Sequence, residues 1–382
     1  MSPATRQIMI VAGEASGDHH AGRLIEELQR IDPGVHCVGI GGDHMRRAGA
    51  EILVDASEMA VMGLLRVLAN LPFFFSVANR LLREIQERRI ELLILVDYPD
   101  FNLRLAKKAK RLGIKVLFYV SPQVWAWRRW RVFEIKKRVD HMAVLFPFEV
   151  PFYEQAGVPV TFVGHPLRGE VHSDLSPAEA RQAFGLDPER PVLGLLPGSR
   201  RSEIEHMLPT MLEGAALVRQ VLPEVQFILP RAATLSPEFL APFLAAAKVE
   251  VTVATGRPYD VMRGCDAIVC ASGTATLETA LMQVPLVVIY RTTALAMAVF
   301  KRLIKVEHIG LCNIVAGQRM ATELIQDQAS PENIAREALR LLQDREAAEA
   351  MRHIEAGLCD KLGEGDAAQN VAKLAMAMLE KR

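Results

Sequence analysis

Residues 8–30 read IMIVAGEASGDHHAGRLIEELQR. Ile8–Ala12 is apolar without a polar break, Gly13–Gly17 interrupts it, and Leu24, Ile25 and Leu28 then recur at helical spacing across Asp18–Arg30. A short apolar run, a Gly-containing loop and an amphipathic helix together make the building unit of a parallel sheet covered on both faces. The pattern repeats outward from here. Val35–Ile40 ends in Gly41-Gly42, and Leu92–Val96 runs into Asp97-Tyr98-Pro99-Asp100 and a helix over Asn102–Leu112. Lys115–Val120, Met142–Phe146 and Thr161–Val163 complete the first set of strands. Arg168–Glu189 is polar and contains proline, after which the pattern restarts at Val192–Leu196, with further strands at Val225–Leu229, Val249–Ala254, Asp266–Cys270 and Leu286–Tyr290. The expectation is an α/β protein of two Rossmann-like, doubly wound domains over 1–168 and 169–345, with a helical end over 346–382. Such sheets bind ligands at the carboxyl ends of their strands; two of them facing each other would hold one substrate each.

Composition narrows the function. The chain has 382 residues, half of them apolar, with 45 basic and 45 acidic side chains, so no net charge draws it to nucleic acid. Its cysteines, Cys37, Cys265, Cys270, Cys312 and Cys359, are scattered and odd in number, which argues against a disulfide framework and a cysteine zinc site. The ten histidines show no metal-binding spacing. The N-terminus does not read as a signal peptide. The most apolar stretch, Ala60–Val77, is broken by Arg66, Asn70 and Pro72 and is not expected to span a membrane.

Four loops carry candidate chemistry. Pro197-Gly198-Ser199-Arg200 joins a strand to a helix. Glycine permits close backbone approach, the helix start offers N–H groups, and Arg200 adds a phosphate-binding fork; a plain turn with a surface arginine fits equally well. Ser272-Gly273-Thr274-Ala275-Thr276-Leu277-Glu278 is a second such junction, where small hydroxyl residues could meet a diphosphate and Glu278 could reach ribose hydroxyls. The competing reading is a Ser/Thr cap followed by an ordinary helix acid. Two such loops in one domain favour a nucleotide-diphosphate pocket. Gly13–Asp18 has neither G-x-G-x-x-G nor Walker spacing, and its acids would repel a diphosphate. Glu14 and Ser16 therefore suit a hydroxylated acceptor, with a Gly turn and a capping Asp18 as the alternative. Asp97, leaving the apolar strand Leu92–Val96, is placed to be a partly desolvated general base, with an ordinary turn aspartate as the alternative, while Asp100 is assigned the helix cap.

Val61–Phe75 contains three consecutive phenylalanines. It reads either as a buried helix or as an interfacial one, in which Leu64, Leu65, Leu68, Leu71, Phe73 and Phe74 would touch lipid. Arg128–Arg138, flanked by Trp125, Trp127 and Trp130, mixes aromatics with cations in a way that suits an anionic membrane surface and also an ordinary solvated face.

The blocks Ala12–Asp18, Ala60–Gly63, Asp97–Asn102, Ser121-Pro122-Gln123-Val124-Trp125-Ala126-Trp127-Arg128, Leu196–Arg200, Ala271–Glu278 and Asn313–Gly317, in this order, resemble the signature segments of the lipid-A-disaccharide synthase family. The Ser121–Arg128 block is the most specific; Pro197–Arg200 and Ser272–Glu278 recur in other GT-B glycosyltransferases. Cys312 departs from the pattern. The resemblance implies a GT-B fold whose C-terminal helix crosses back to the first domain. It implies an inverting transfer without metal or other cofactor, from UDP-2,3-diacylglucosamine to 2,3-diacylglucosamine 1-phosphate, giving the β(1→6) tetraacyl disaccharide 1-phosphate and UDP. It places Asp97 and Arg200 in catalysis, and Gly198, Ser199, Ser272, Gly273, Thr274, Glu278 and Asn313 around the donor. It also implies peripheral association with the cytoplasmic face of the inner membrane, no nucleic-acid partner, and leaves a homodimer open. A soluble-substrate epimerase of the same fold and a non-catalytic nucleotide-binding protein are the alternatives; the Phe-rich segment and Asp97 respectively argue against them.

Overall fold

The computed structural model describes residues 6–60, 71–293, 297 and 307–380. The chain forms two compact units, Met1–Pro166 with Leu362–Arg382, and Leu167–Lys361. The first boundary falls two residues before the expected 168/169 division. The return to the first unit comes at Leu362 rather than at 346, because the helix Arg345–Ala356 packs on the second unit's helices Pro331–Gln343 and Thr274–Leu281.

In the first unit, strands β1 (Arg6–Ala12), β2 (Val35–Gly41), β3 (Glu51–Asp55), β4 (Leu92–Val96), β5 (Lys115–Tyr119), β6 (His141–Val144) and β7 (Val160–Phe162) form a parallel sheet in the order β3-β2-β1-β4-β5-β6-β7. The chain leaves β1 toward β2 on one side and returns as β4 on the other. β1/β4 is therefore the switch point at which the strand ends open into a crevice. All five residues of β4 are fully buried. At roughly 1.5–3 kcal/mol per buried aliphatic side chain, that core fixes the register that brings Ala12 level with Val96. One face is covered by helices Leu71–Glu87, Pro99–Arg111 and Val132–Lys136. The other is covered by Ala15–Ile31 and the C-terminal helix Ala367–Glu380, whose Val371, Ala372, Ala375 and Met376 complete its core. Arg23 pairs with Asp366 at 2.6 Å, Asn370 donates to the Val163 carbonyl at 3.0 Å, and Lys115 donates to that of Met378 at 2.7 Å, so the returning helix is tied at both ends.

The second unit holds β8 (Val192–Leu196), β9 (Gln226–Arg231), β10 (Thr252–Thr255), β11 (Ala267–Ala271), β12 (Leu286–Tyr290) and β13 (Thr322–Ile325), parallel in the order β10-β9-β8-β11-β12-β13. Its switch point is β8/β11, with Leu196 level with Cys270. The edge strands β3 and β13 are additions to the sequence-based expectation; both are short and only partly buried. Among the described residues no helix is long and apolar enough to cross a membrane.

Candidate active site

In each unit the predicted loops emerge at the switch point. In the first, Gly13–Asp18 follows β1 and Asp97–Asp100 follows β4. Asp97 and Tyr98 both lie in the left-handed region, at φ 48° and 46°. Two consecutive non-glycine residues there store strain, and strain of this kind concentrates at functional turns. The turn is held from several sides. The Asp97 N–H donates to the Tyr119 carbonyl at 3.0 Å. Asn102, fully buried, brings its Nδ2 to 2.7 Å from the Asp97 carbonyl, 3.3 Å from that of Val96 and 3.4 Å from that of Val11. Gly13 lets the Tyr98 ring lie against its backbone: a Cβ there would stand 2.6 Å from Tyr98 Cδ1. Burial, reinforced by the negative charge of Glu14, pushes the Asp97 carboxyl up to about 6. A carboxylate of that basicity can accept a proton from an alcohol in a transition state and still be ionised at neutral pH.

Glu14 and Ser16 are exposed at the start of Ala15–Ile31; Glu14 holds the N-cap position without a side-chain capping bond. Asp18 does not cap its own helix; it is buried and accepts from the N–H groups of Gly42, His44 and Met45 at 2.6, 2.9 and 3.2 Å, so it closes the N-terminus of the neighbouring helix Asp43–Arg47. The cap assigned to Asp100 is also corrected. The helix begins at Pro99, with Tyr98 at its N-cap, and Asp100 instead accepts from Arg131 at 2.9 Å, fixing Trp127–Arg131 against the helix start.

Sequence reasoning passed over Asn102 and a second buried acid, Glu149. Glu149 accepts from the Phe146 N–H at 3.1 Å, and the Leu145 N–H, the Ser121 hydroxyl and the Trp125 indole face it and favour its charged form. Burial pushes its carboxyl up to about 7. It anchors the Ser121–Trp125 segment, whose Ser121 also bonds the buried Tyr153 hydroxyl at 2.7 Å. Nearby, His165 packs its ring 4.8 Å from that of Phe146, and burial lowers it to about 4, leaving it neutral. Of the apolar segment, Leu64, Leu65 and Leu68 lie outside the described residues. Leu71, Phe73 and Phe74 are partly buried, the two phenylalanines against the core, and Phe75 is exposed.

In the second unit Gly198 has φ 108°, and a Cβ there would stand within 2.3 Å of Glu203 Oε2. Only glycine fits this turn. The N–H groups expected to be open at the following helix are engaged: Ser199 and Arg200 donate to Glu203 Oε2 at 2.9 and 3.1 Å. A carboxylate thus sits where the loop is built to receive an anion, because Glu203 at the third helical position closes a capping box. The Arg200 side chain is 80% exposed, touching Glu203 Oε1 at 3.0 Å.

At the other junction, Gly273 is the N-cap of Thr274–Leu281, and nothing lies within 4 Å of where its Cβ would be. Gly273 and Thr274 are exposed, Ser272 donates to the Ile309 carbonyl at 2.8 Å, and Glu278 accepts from the Tyr259 hydroxyl at 3.2 Å. Burial raises the Glu278 carboxyl above its ordinary range. Asn313 is fully buried, with its Oδ1 accepting from Met320 and Ala321 and its Nδ2 reaching the Ala321 carbonyl and Glu323, each at 2.8–2.9 Å. Glu323 in turn accepts from the N–H groups of Ile309 and Gly310. Asn313 thereby builds the loop that Ser272 touches.

With this geometry in view, comparison with known proteins is specific. The family model for lipid-A-disaccharide synthetase matches residues 8–377. The chain is 54% identical over 377 residues to the lipid-A-disaccharide synthase of Geobacter metallireducens, covering 99% of this chain and 98% of that protein. It is 55% identical over 373 residues to that of Nitrosococcus oceani, covering 98% and 96%. Among solved structures, UDP-GlcNAc 2-epimerase from Neisseria meningitidis bound to UDP-GlcNAc superposes with TM-score 0.63 at 14% identity, covering 98% of this chain and all of that one. Acinetobacter baumannii MurG does so with TM-score 0.58 at 15% identity, covering 97% and 99%. These likenesses establish the fold as that of GT-B glycosyltransferases and epimerases.

Proposed function

The chain belongs to the lipid-A-disaccharide synthase family of glycosyltransferases, and from that premise we propose how its residues divide the reaction. The donor is UDP-2,3-diacylglucosamine and the acceptor 2,3-diacylglucosamine 1-phosphate. Asp97 accepts the proton of the acceptor 6-hydroxyl as that oxygen attacks the anomeric carbon, and direct displacement inverts the configuration to β(1→6). The observation that carries this is the basicity of Asp97, a carboxyl raised to about 6 at the end of a buried strand. Glu14 and Ser16 border the acceptor.

Donor binding falls to the second unit. The exposed guanidinium of Arg200 and the Ser199 N–H take the charge of the departing UDP once Glu203 swings away from them, Gly198 permits that turn, and Gly273 and Thr274 present the second helix N-terminus to it. Ser272 and Asn313 shape this side through the Ile309–Gly310 loop, and Glu278 serves the ribose. Charge stabilisation by these groups lets transfer proceed without a metal ion. The acyl chains of both substrates make the cytoplasmic face of the inner membrane the workplace, with Leu71 and the sides of Phe73 and Phe74 that the core leaves uncovered touching lipid.

The test is incubation of purified enzyme with both substrates, with and without EDTA, following UDP release and the anomeric configuration of the product. The expected result is stoichiometric UDP and β-disaccharide under both conditions. An α product rejects the inverting step, and loss of transfer in EDTA rejects metal independence.

A further inference from the structure

The outer surface of the helices Pro99–Arg111 and Val132–Lys136 carries a feature that the reaction does not use. Val132 and Ile135 turn inward to the core, while Phe133 points out. Trp130, in the preceding turn Arg129–Arg131, and Lys137 share that outward face by their three- and four-residue spacing from Phe133. Phe133 is 61% exposed and Trp130 60%. Among the described residues these are the most exposed large apolar side chains. They line a cavity of about 700 Å³ together with Lys107, Arg111 and Lys137.

The charge around this cavity is lopsided. Its one acid, Glu134, pairs with Arg138 at 3.3 Å, and Lys110 pairs with Asp140 at 2.6 Å just beyond it. Lys107, Arg111 and Lys137 have no acidic partner among the described residues. Cations in the last turn of Pro99–Arg111 do favour its C-terminus, but that accounts for neither the two aromatics nor Lys137. The same helix continues the surface toward Phe75, 53% exposed, over whose ring Lys108 sits at 5.9 Å.

We propose that this face of the first unit, centred on Trp130 and Phe133 and rimmed by Lys107, Arg111 and Lys137, is a docking surface for an anionic phospholipid bilayer. The aromatic rings enter the headgroup layer, where amphipathic rings are most stable, and the three cations meet lipid phosphates. A nucleic acid fits less well, since three unpaired cations on a chain of zero net charge offer no extended phosphate track. The inference rests on the membrane-surface part of the proposed function and deepens it, adding a second footprint beside the Phe-rich segment.

The experiment is flotation of the full-length enzyme with vesicles of phosphatidylcholine alone and with 30% phosphatidylglycerol, a composition of roughly one anionic lipid in three. Wild type, Trp130→Ser/Phe133→Ser and Lys107→Glu/Arg111→Glu/Lys137→Glu are compared, with thermal melts confirming folding. At about fivefold per cation near such a surface, loss of the three charges alone weakens binding to anionic vesicles ~100-fold, and their reversal in the triple variant should weaken it by at least that. The aromatic variant should lose binding to both compositions. Brominated lipids should quench wild-type tryptophan fluorescence, and Trp130→Phe should remove that quenching. Transfer on detergent-dispersed substrates should be unchanged in all variants. Wild-type binding that survives both sets of substitutions overturns this surface and leaves the membrane reading intact. Absence of wild-type vesicle binding overturns both. A shift from dimer to monomer in Trp130→Ser/Phe133→Ser assigns the face to a second copy of the chain, and competition by an oligonucleotide but not by vesicles assigns it to nucleic acid; either overturns the proposal.

Discussion

Asn102 holds Asp97 by its main chain: the buried amide Nδ2 lies 2.7 Å from the Asp97 carbonyl and also reaches those of Val96 and Val11. Its Oδ1 is buried without a partner, a cost the fold carries to keep a donor at the end of β4. The carboxyl is thus aimed by a residue that sits one turn along the next helix. Asn102→Ala removes this buried donor from the carbonyls and should destabilise the protein by roughly 1–3 kcal/mol. Because Asn102 touches backbone and not substrate, kcat should fall more than tenfold while both KM values change little. A folded Asn102→Ala enzyme with normal kcat contradicts this positioning role.

Asp97 itself predicts a pH profile. With its carboxyl at about 6, activity should rise with pH through that value and level off above it. The negative charge of Glu14 contributes to the upward shift, so Glu14→Gln should move the inflection to lower pH. Asp97→Asn should lose at least ~10²-fold in kcat/KM. It should not lose stability: asparagine tolerates the left-handed backbone, and the fold no longer desolvates a charge. The proton is held more tightly in the folded state than at the ordinary value of 3.8, so wild-type stability declines from there up to about pH 6. The advantage of Asp97→Asn in thermal melts should therefore be largest above pH 6. A flat activity profile between pH 5 and 8 argues against Asp97 as the base.

On the donor side, Gly198→Ala is the sharper probe of loop shape and Arg200→Ala of charge. The added methyl meets both a positive φ and the Glu203 carboxylate, so the loop must open. Strain of ~1–3 kcal/mol should appear as a lower Tm, with donor KM raised about tenfold or more. Arg200→Ala, at an exposed side chain, should leave Tm unchanged while lowering kcat ~10²-fold or more. Thermal melts separate the two, isothermal titration should show weakened UDP binding in both, and an Arg200→Ala enzyme with full turnover contradicts its role.

The two sheets and both pairs of switch-point loops were legible in the sequence because Leu92–Val96, Val192–Leu196 and their neighbours are runs without a polar side chain ended by Gly, Pro, Ser or Asp. The edge strands Glu51–Asp55 and Thr322–Ile325 were not, since a short, half-exposed strand lacks that signature. Asp18 and Asp100 were legible as structural acids but not by partner; an Asp near a helix start suggests a local cap, whereas Gly42 and Arg131 come from other elements. Asn102 was hidden for the same reason, its bonds reaching back across β1 and β4. Glu203 drew no notice, although an acid three positions after Arg200 is the spacing of a capping box.

Glu149 gives a prediction independent of catalysis. Its carboxyl is buried and lies at about 7, above the ordinary 4.5, so the folded state binds a proton that the unfolded chain has already released across that window. Wild-type stability attributable to this group should therefore fall as pH rises from about 4.5 to about 7 and then level off. Glu149→Gln keeps the size but can turn an amide N–H toward the Phe146 N–H donor, so it should melt below wild type at pH 5. Having no proton to lose, the variant should close part of that gap by pH 7.5. The Ser121–Trp125 segment should loosen in parallel, seen as faster amide hydrogen exchange confined to that stretch and the neighbouring Tyr153 helix. A gap between wild type and Glu149→Gln that stays constant or widens over the same pH range would mean that Glu149 is already ionised in the folded protein at pH 5.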